Sequence, residues 1–151
     1  MSLNHGAIWW SELMTRDVPG ALKYYRDVCG WAFDAMPAEG SDYHVAIVHG
    51  KPVAGIMDMT GQAQFDEMPS HWITYIAVDD VDRAMETTRF AGGTVIRAPL
   101  DVPGVGRIAT VGDASGAVVG LMTPVFPGDE LVQQEAFDAD ESEDDEENFP
   151  V

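Results

Sequence analysis

The chain has 151 residues, of which 46% are hydrophobic and 23% charged, as is typical of one globular domain. Its single cysteine, Cys29, excludes an internal disulfide and a cysteine-based zinc site. No apolar run approaches the roughly 18 residues of a membrane span, and the N-terminus lacks a signal-peptide pattern. We therefore expect a cytoplasmic protein with no membrane partner. The net charge of −18 argues against a nucleic-acid partner, because phosphates would be repelled.

The excess negative charge is concentrated near the C-terminus. Eleven of the 26 acidic residues, and none of the eight basic ones, lie between positions 129 and 147. The rest of the chain, with 15 acidic and 8 basic residues, carries a net charge of −7. A run of like charges repels itself and cannot bury apolar surface. We therefore expect one domain over residues 7–124 and an acidic C-terminal tail over residues 125–151.

The domain contains an internal repeat, because a shift of about 63 residues aligns its two halves. The aligned pairs are Trp9 with Trp72, Leu13 with Ile76, Asp17 with Asp80, Ala21 with Ala84 and Gly30 with Gly93. At a shift of 65, residues 53–57 resemble residues 118–122. The sequence therefore predicts two related modules, 7–59 and 71–123, joined by a linker.

The first module begins with an apolar run over residues 7–14, which predicts a strand. Asp17 is a helix-capping residue, and Pro19 suits the first turn of a helix. Apolar side chains then follow at helical spacing as far as Val28, and Gly30 is placed to end the helix in a left-handed conformation. Three further short strands are predicted, at residues 31–35, 43–49 and 53–59.

The second module repeats this order. An apolar strand over residues 72–78 ends at Asp79 or Asp80, either of which can cap a helix. The helix is predicted to end near the Gly92–Gly93 pair. Three strands follow, at residues 94–98, 107–111 and 118–123. The predicted fold class is α+β, with the order βαβββ occurring twice.

Several short stretches resemble the vicinal-oxygen-chelate superfamily, which includes glyoxalase I, extradiol dioxygenases and bleomycin-resistance proteins. These stretches are residues 10–17, 24–31, 75–81, 103–107 and 113–117. The resemblance covers residues 7–124 and is closest to the glyoxalase-like branch. It implies that the two βαβββ modules together form a cup around a small-molecule site. It also implies a homodimer, because such domains usually cover the edges of their cup with a partner domain.

The resemblance further implies where a metal would be bound. Metal-dependent members place one ligand on the first and one on the last strand of each module. In this chain the corresponding positions are Trp10, Gly55, Ile73 and Gly120. None of these side chains can coordinate a divalent ion. We therefore expect no metal at this site and no other cofactor.

Glu12 is the candidate catalytic residue. Strand alternation places it on the same face as Trp10, inside the predicted cup. In apolar surroundings its pKa would rise, and it could act as a general base. If Arg107 reaches it, the pKa would fall and the pair would be architectural. His71 could join Glu12 in a displaced metal site, but the spacing supplies no third ligand.

Glycines beside a tryptophan and several methionines predict a slot for a flat or apolar ligand. The candidate ligand-binding residues are Trp10, Glu12, His44, Met57, His71, Tyr75, Arg107 and Met122. The favoured function is metal-independent binding of a small molecule. One alternative is a glyoxalase-like lyase or isomerase that uses Glu12 or an atypical metal site. Another is a structural or regulatory module in which Trp10 fills the cavity and nothing binds.

Overall fold

The computed structural model of the protein describes residues 4–37 and 42–125, so the predicted acidic tail lies outside the described residues except for Val125. The described residues form eight strands, two α-helices and one short 3-10 helix. In chain order these are β1 (Ile8–Thr15), α1 (Val18–Cys29), β2 (Ala32–Pro37), β3 (Asp42–Val48), β4 (Lys51–Asp58), the 3-10 helix (Ala63–Phe65), β5 (His71–Ala77), α2 (Val81–Phe90), β6 (Thr94–Val102), β7 (Gly106–Gly112) and β8 (Val118–Pro124).

Both helices begin and end at residues with a physical reason to be there. The side chain of Asp17 accepts a hydrogen bond from the Gly20 amide, and Asp80 accepts one from the Arg83 amide, so each aspartate caps the first turn of its helix. Gly30, with φ of 73°, closes α1 in the left-handed conformation that only glycine adopts without strain. The predicted capping of both helices is confirmed.

The eight strands form one sheet in the order β2-β3-β4-β1-β5-β8-β7-β6. The two first strands of the modules, β1 and β5, meet antiparallel at its centre. Each is flanked on its other side by the last strand of its own module, β4 or β8, in parallel. The sheet curls into a half-barrel, which confirms the predicted α+β fold with two βαβββ modules.

The inner face of the sheet is defined here as the face that carries Glu12 and Tyr75. The larger core cluster lies on this face and includes Trp10, Met14 and Ile73. Phe65 of the 3-10 helix, in the segment that links the modules, is fully buried in the same cluster. The linker therefore contributes to the core, which its polar sequence did not indicate.

The outer face of the sheet carries the helices, and it is covered unevenly. Helix α2 buries Val81 and Met85 against a second cluster that includes Ala109 and Val111. Helix α1 buries no residue completely. Neither helix in the described part of the chain is long and apolar enough to cross a membrane.

Candidate functional site

The four positions predicted to correspond to metal ligands, Trp10, Gly55, Ile73 and Gly120, lie together on the inner face. Glu12 is paired with Gly55 on β4 and with Ile73 on β5, while Tyr75 is paired with Trp10 and with Gly120 on β8. Side chains of paired residues project from the same side of a sheet. This face is therefore the place where a chelating site would be built.

Two tyrosine side chains occupy the space that the glycines leave open. A Cβ atom at Gly55 would overlap the hydroxyl group of Tyr43, and a Cβ atom at Gly120 would overlap the ring of Tyr75. Both tyrosines are buried. The indole Nε1 of Trp10 donates a hydrogen bond of 3.0 Å to the Tyr43 hydroxyl. The four predicted chelating positions are called the chelating corners here. Their space is filled by aromatic side chains, two of which, Trp10 and Tyr43, are hydrogen-bonded to each other.

Glu12 lies at the centre of this group and is only 2% exposed. The Tyr75 hydroxyl donates a hydrogen bond of 2.8 Å to its Oε1 atom, and Tyr43 is a second hydrogen-bond partner of the carboxyl group. Burial raises the pKa of Glu12, because the charged form is poorly solvated there. The two tyrosine hydrogen bonds and the charges of Arg97 and His71 act in the opposite direction.

Burial raises the pKa of Tyr43 and of Tyr75 well above the usual value of a tyrosine, and the charge of the neighbouring Glu12 raises it further. Both hydroxyl groups therefore keep their protons at neutral pH and remain hydrogen-bond donors. This protects the Glu12 carboxyl from being left unsatisfied in the core, where an unpartnered polar group costs free energy.

Of the two alternatives for Glu12, the pairing with Arg107 is wrong. Arg107 lies on the outer face, where it donates hydrogen bonds of 2.7 and 3.0 Å to Asp82 and one of 3.2 Å to Asp101. Its neighbour Ile108 takes the inner position on β7 and is paired with Met122. Because side chains alternate along a strand, the arginine cannot reach the inner face.

His44 is also not brought to the inner face. It is paired with Ile56 on β4, whereas its neighbour Val45 is paired with Gly55. His44 therefore projects from the side of the sheet opposite to Glu12, and its prediction as a residue of the cup is corrected. In β3 the inner positions belong to Tyr43 and Val45.

His71 does lie on the inner face, opposite Met14 at the end of β5. Its Nδ1 atom is 2.7 Å from the carbonyl oxygen of Pro69, and its Nε2 atom is buried without a partner. Within residues 4–37 and 42–125, no group of three or more His, Cys, Asp or Glu side chains is arranged to hold a metal ion. The described residues therefore do not fit a divalent-metal chelate.

An open cavity of about 790 Å³ lies beside the aromatic group. Its lining includes Tyr43, Met57, Gln62, Arg97, Leu100 and Val102, with Asp42, Asp58 and Asp101 among the remaining residues. Of the predicted ligand-binding residues, only Met57 lines this cavity. Trp10, Glu12, Tyr75 and Met122 are packed in the core, so they do not form its wall.

Sequence reasoning missed Arg97, which is 8% exposed and forms part of the cavity wall. Its Nη1 atom donates a hydrogen bond of 2.7 Å to Oε1 of Gln62 and contacts the Met57 sulfur at 3.4 Å. Its guanidinium lies 5.5 Å from the centre of the Phe65 ring. A signal was present, since an arginine within an otherwise apolar predicted strand is costly to bury without a purpose.

A family model described as the Glyoxalase/Bleomycin resistance protein/Dioxygenase superfamily matches residues 2–121 of the chain. Among curated proteins, the chain is 39% identical over 114 residues to "Putative glyoxylase CFP32" of Mycobacterium tuberculosis. It is 31% identical over 123 residues to "Anthracycline biosynthesis protein DnrV" of Streptomyces peucetius. Each match covers 74% of this chain, but only 43% and 45% of those proteins. The chain thus spans less than half the length of these relatives.

Solved structures resemble the chain in fold at low sequence identity. Methylmalonyl-CoA epimerase from Mycobacterium tuberculosis has a TM-score of 0.57 and 16% identity, over 83% of this chain and 93% of that one. The hypothetical protein BH1468 from Bacillus halodurans has a TM-score of 0.59 and 10% identity, over 80% and 95% respectively. At such identities the likeness concerns the fold alone.

Proposed function

The chain belongs to the glyoxalase/bleomycin resistance/dioxygenase superfamily, and from this premise we propose that it binds a small apolar or aromatic molecule without a metal ion. The observation that carries the proposal is the coexistence of filled chelating corners with an open cavity beside them. The corners hold Trp10, Tyr43 and Tyr75, whereas the cavity of about 790 Å³ remains available. Small-molecule sites in proteins commonly have volumes of this order.

The lining of the cavity supports an apolar or aromatic ligand. Met57 and Leu100 offer apolar surface, and the flexible thioether of methionine adapts to ligands of different shape. Glu12 is not part of this lining and is covered by its tyrosine partners. A ligand in the cavity would therefore contact the apolar lining, and it would not meet the Glu12 carboxylate as a general base.

A direct test uses methyl 1-naphthoate, an uncharged aromatic probe, in equilibrium dialysis against the whole chain. We expect saturable binding of one probe molecule per chain. Thr60 lies on the cavity wall and is exposed, so Thr60→Trp should fill part of the cavity and weaken binding by about tenfold. The matched variant Thr87→Trp adds the same side chain to an exposed position on α2 and should bind as the wild type does.

Failure of the probe, and of related apolar compounds, to bind saturably would contradict the proposal and favour a structural or regulatory module without a ligand. Equal weakening by Thr60→Trp and Thr87→Trp would also contradict it. In that case binding would not depend on the cavity.

A glyoxalase-like lyase or isomerase is a second candidate function, favoured by one observation. Tyr43 lines the cavity and is a hydrogen-bond partner of Glu12, so its hydroxyl group connects the buried carboxyl to the ligand space. Such a connection could carry a proton between them. Glu12→Gln separates the two roles, since it should abolish turnover of a methylglyoxal hemithioacetal but leave naphthoate-ester affinity unchanged.

We also propose that the protein forms a homodimer. Helix α1 leaves Val28 and Tyr24 exposed, at 61% and 55%, so its apolar surface is available to a second copy. Sedimentation equilibrium should report a dimer for the wild type and a shift toward monomer for Val28→Glu. A monomeric wild type at every accessible concentration would contradict this proposal.

A further inference from the structure

The buried charge of Arg97 is not accounted for by the partners it has in the protein. Arginine keeps its charge in proteins, and a buried charge is stable only when it is paired or fully hydrogen-bonded. None of the ion pairs formed within residues 4–37 and 42–125 includes Arg97. Glu12 acts on it only through space. The site therefore carries a positive charge without a bound counter-charge.

The orientation of the guanidinium is fixed from one side. Gln62 accepts a hydrogen bond from Nη1, Met57 contacts the same atom, and the plane lies near the Phe65 ring. The two remaining nitrogen atoms, Nε and Nη2, are buried and have no hydrogen-bond partner. These two atoms share the edge of the guanidinium that presents parallel N–H groups to a carboxylate.

This inference rests on the proposed binding function and names the chemistry of its ligand. We propose that the cavity takes apolar or aromatic molecules that carry one carboxylate, which accepts paired hydrogen bonds from Nε and Nη2 of Arg97. The carboxylate satisfies both orphaned donors and supplies the missing counter-charge. The apolar body of the ligand lies against Met57 and Leu100.

Acidic side chains around the cavity restrict the charge that it accepts. Asp42 and Asp58 belong to its wall, so a dianion meets repulsion that a single carboxylate meets less strongly, whereas the charge of Asp101, also on the wall, is compensated by Arg107. A planar carboxylate also matches the two-donor edge in geometry. The site is therefore assigned to monocarboxylates and not to phosphate esters.

Access to the two nitrogen atoms requires a neighbouring side chain to move, because both atoms are covered in the ligand-free protein. Met57 lines the cavity and contacts the guanidinium at Nη1, which lies outside this two-donor edge. Its flexible side chain is expected to adjust to the apolar body of the ligand, which a methyl NMR signal of this residue would report.

The experiment compares three probes of one ring system by equilibrium dialysis at neutral pH: 1-naphthoate, its uncharged methyl ester and 1-naphthyl phosphate. We expect the wild-type protein to bind 1-naphthoate about tenfold more tightly than the ester. The phosphate should bind more weakly than 1-naphthoate. This comparison needs no variant, so it remains decisive even if a substitution disturbs folding.

Arg97→Met should abolish the preference for the acid over the ester while preserving binding of the ester. Arg97→Lys keeps the charge but loses the two-donor edge, so it should restore only part of the preference. Arg89→Met, at an exposed position on α2, removes a charge elsewhere and should leave the preference intact.

The outcomes separate this inference from the function on which it rests. Saturable binding of the ester without a preference for 1-naphthoate overturns the carboxylate site and leaves the binding function standing. Failure of all three probes to bind overturns both. Tighter binding of the phosphate ester, or a preference that survives Arg97→Met, overturns the assignment to a carboxylate held by Arg97.

Discussion

The two modules place different residues at the same position of the repeat. A shift of 63 carries Glu12 of the first module onto Tyr75 of the second, and these two side chains are hydrogen-bonded to each other across β1 and β5. In the second module, Tyr75 covers Gly120 directly. In the first module, Tyr43 reaches over from β3 to cover Gly55. The two modules therefore share one backbone arrangement, but at the equivalent position the first supplies the hydrogen-bond acceptor, Glu12, and the second supplies the donor, Tyr75.

The helices of the two modules also differ in how they pack. Helix α2 buries Val81 and Met85 over its own cluster, whereas α1 buries no residue completely. Helix α1 makes aromatic contacts instead, in which Tyr25 stacks on Trp31 and accepts a hydrogen bond of 3.0 Å from Trp72. Because Trp72 lies on β5, the first helix depends partly on the second module.

The largest expected effect comes from the glycines that the tyrosines cover. Gly120→Ala should lower the free energy of unfolding by about 3 kcal/mol, because the fully buried ring of Tyr75 has no free space to move into. Gly55→Ala should cost less, since Tyr43 borders the open cavity and can shift toward it. Urea unfolding measures both, and an equal or larger loss for Gly55→Ala would contradict this difference.

A smaller effect is expected from apolar residues of the two helices. Met85→Ala in α2 removes a side chain that is 4% exposed and should cost about 2 kcal/mol. Val28→Ala in α1 should cost less than about 0.5 kcal/mol, because that side chain is largely exposed. If both substitutions cost the same in urea unfolding, the contrast in helix packing has no energetic consequence.

The two capping aspartates, Asp80 and Asp17, provide a matched pair of substitutions, and loss of a cap typically lowers stability by about 1 kcal/mol. Asp80→Ala removes the acceptor for the Arg83 amide and should lower the global stability by about this amount. Asp17→Ala removes the equivalent acceptor for Gly20. We expect its cost to appear mainly as faster amide hydrogen exchange within α1, since none of the residues of this helix is fully buried. Equal global losses would show that α1 is as firmly coupled as α2.

The last prediction concerns the pH dependence of stability at Glu12. The advantage of Glu12→Gln over the wild type should be smallest at acid pH. Burial raises the pKa of Glu12 above 4.5, so the folded protein binds this proton more tightly than the unfolded chain. That contribution to stability is complete below about pH 4.5 and is lost as the pH rises through the raised pKa. Glu12→Gln should therefore gain thermal stability relative to the wild type with increasing pH, up to pH 8.

An exposed carboxylate on the helix surface serves as the control for this pH series. Glu86→Gln in α2 should show a constant difference from the wild type, because Glu86 lies at an exposed position. A falling advantage of Glu12→Gln with pH would mean that the folded protein favours the charged form of Glu12, contrary to the direction inferred from its burial.

Features that depend on neighbouring residues in the chain could be read from the sequence. The capping aspartates, the helix-ending glycine Gly30 and the order of strands and helices all follow from local backbone chemistry, and the structure confirms them. The positions without a chelating side chain, including Gly55 and Gly120, could be identified because a glycine has no ligand atom wherever it lies.

The partners of the charged residues could not be read in this way. Glu12 pairs with tyrosines that are 31 and 63 positions away in the sequence, and not with Arg107. His44 projects from the opposite side because Tyr43 and Val45 take the inner positions of β3. Strand alternation shows which side chains of a strand share a face of the sheet. Which of the two faces is the inner one is decided only by the pairing of the strands and by their bulges.

The sequence by itself determined two βαβββ modules, and its resemblance to a known family predicted four chelating positions at which no side chain can bind a metal. The tertiary structure alone decided what replaced them: Tyr43 and Tyr75 fill the corners, Glu12 is enclosed, and Arg97 reaches the cavity wall. The physical reason is that helix caps and strand periods are fixed by contacts between near neighbours. Burial, register and charge pairing instead depend on strands that are brought together from distant parts of the chain.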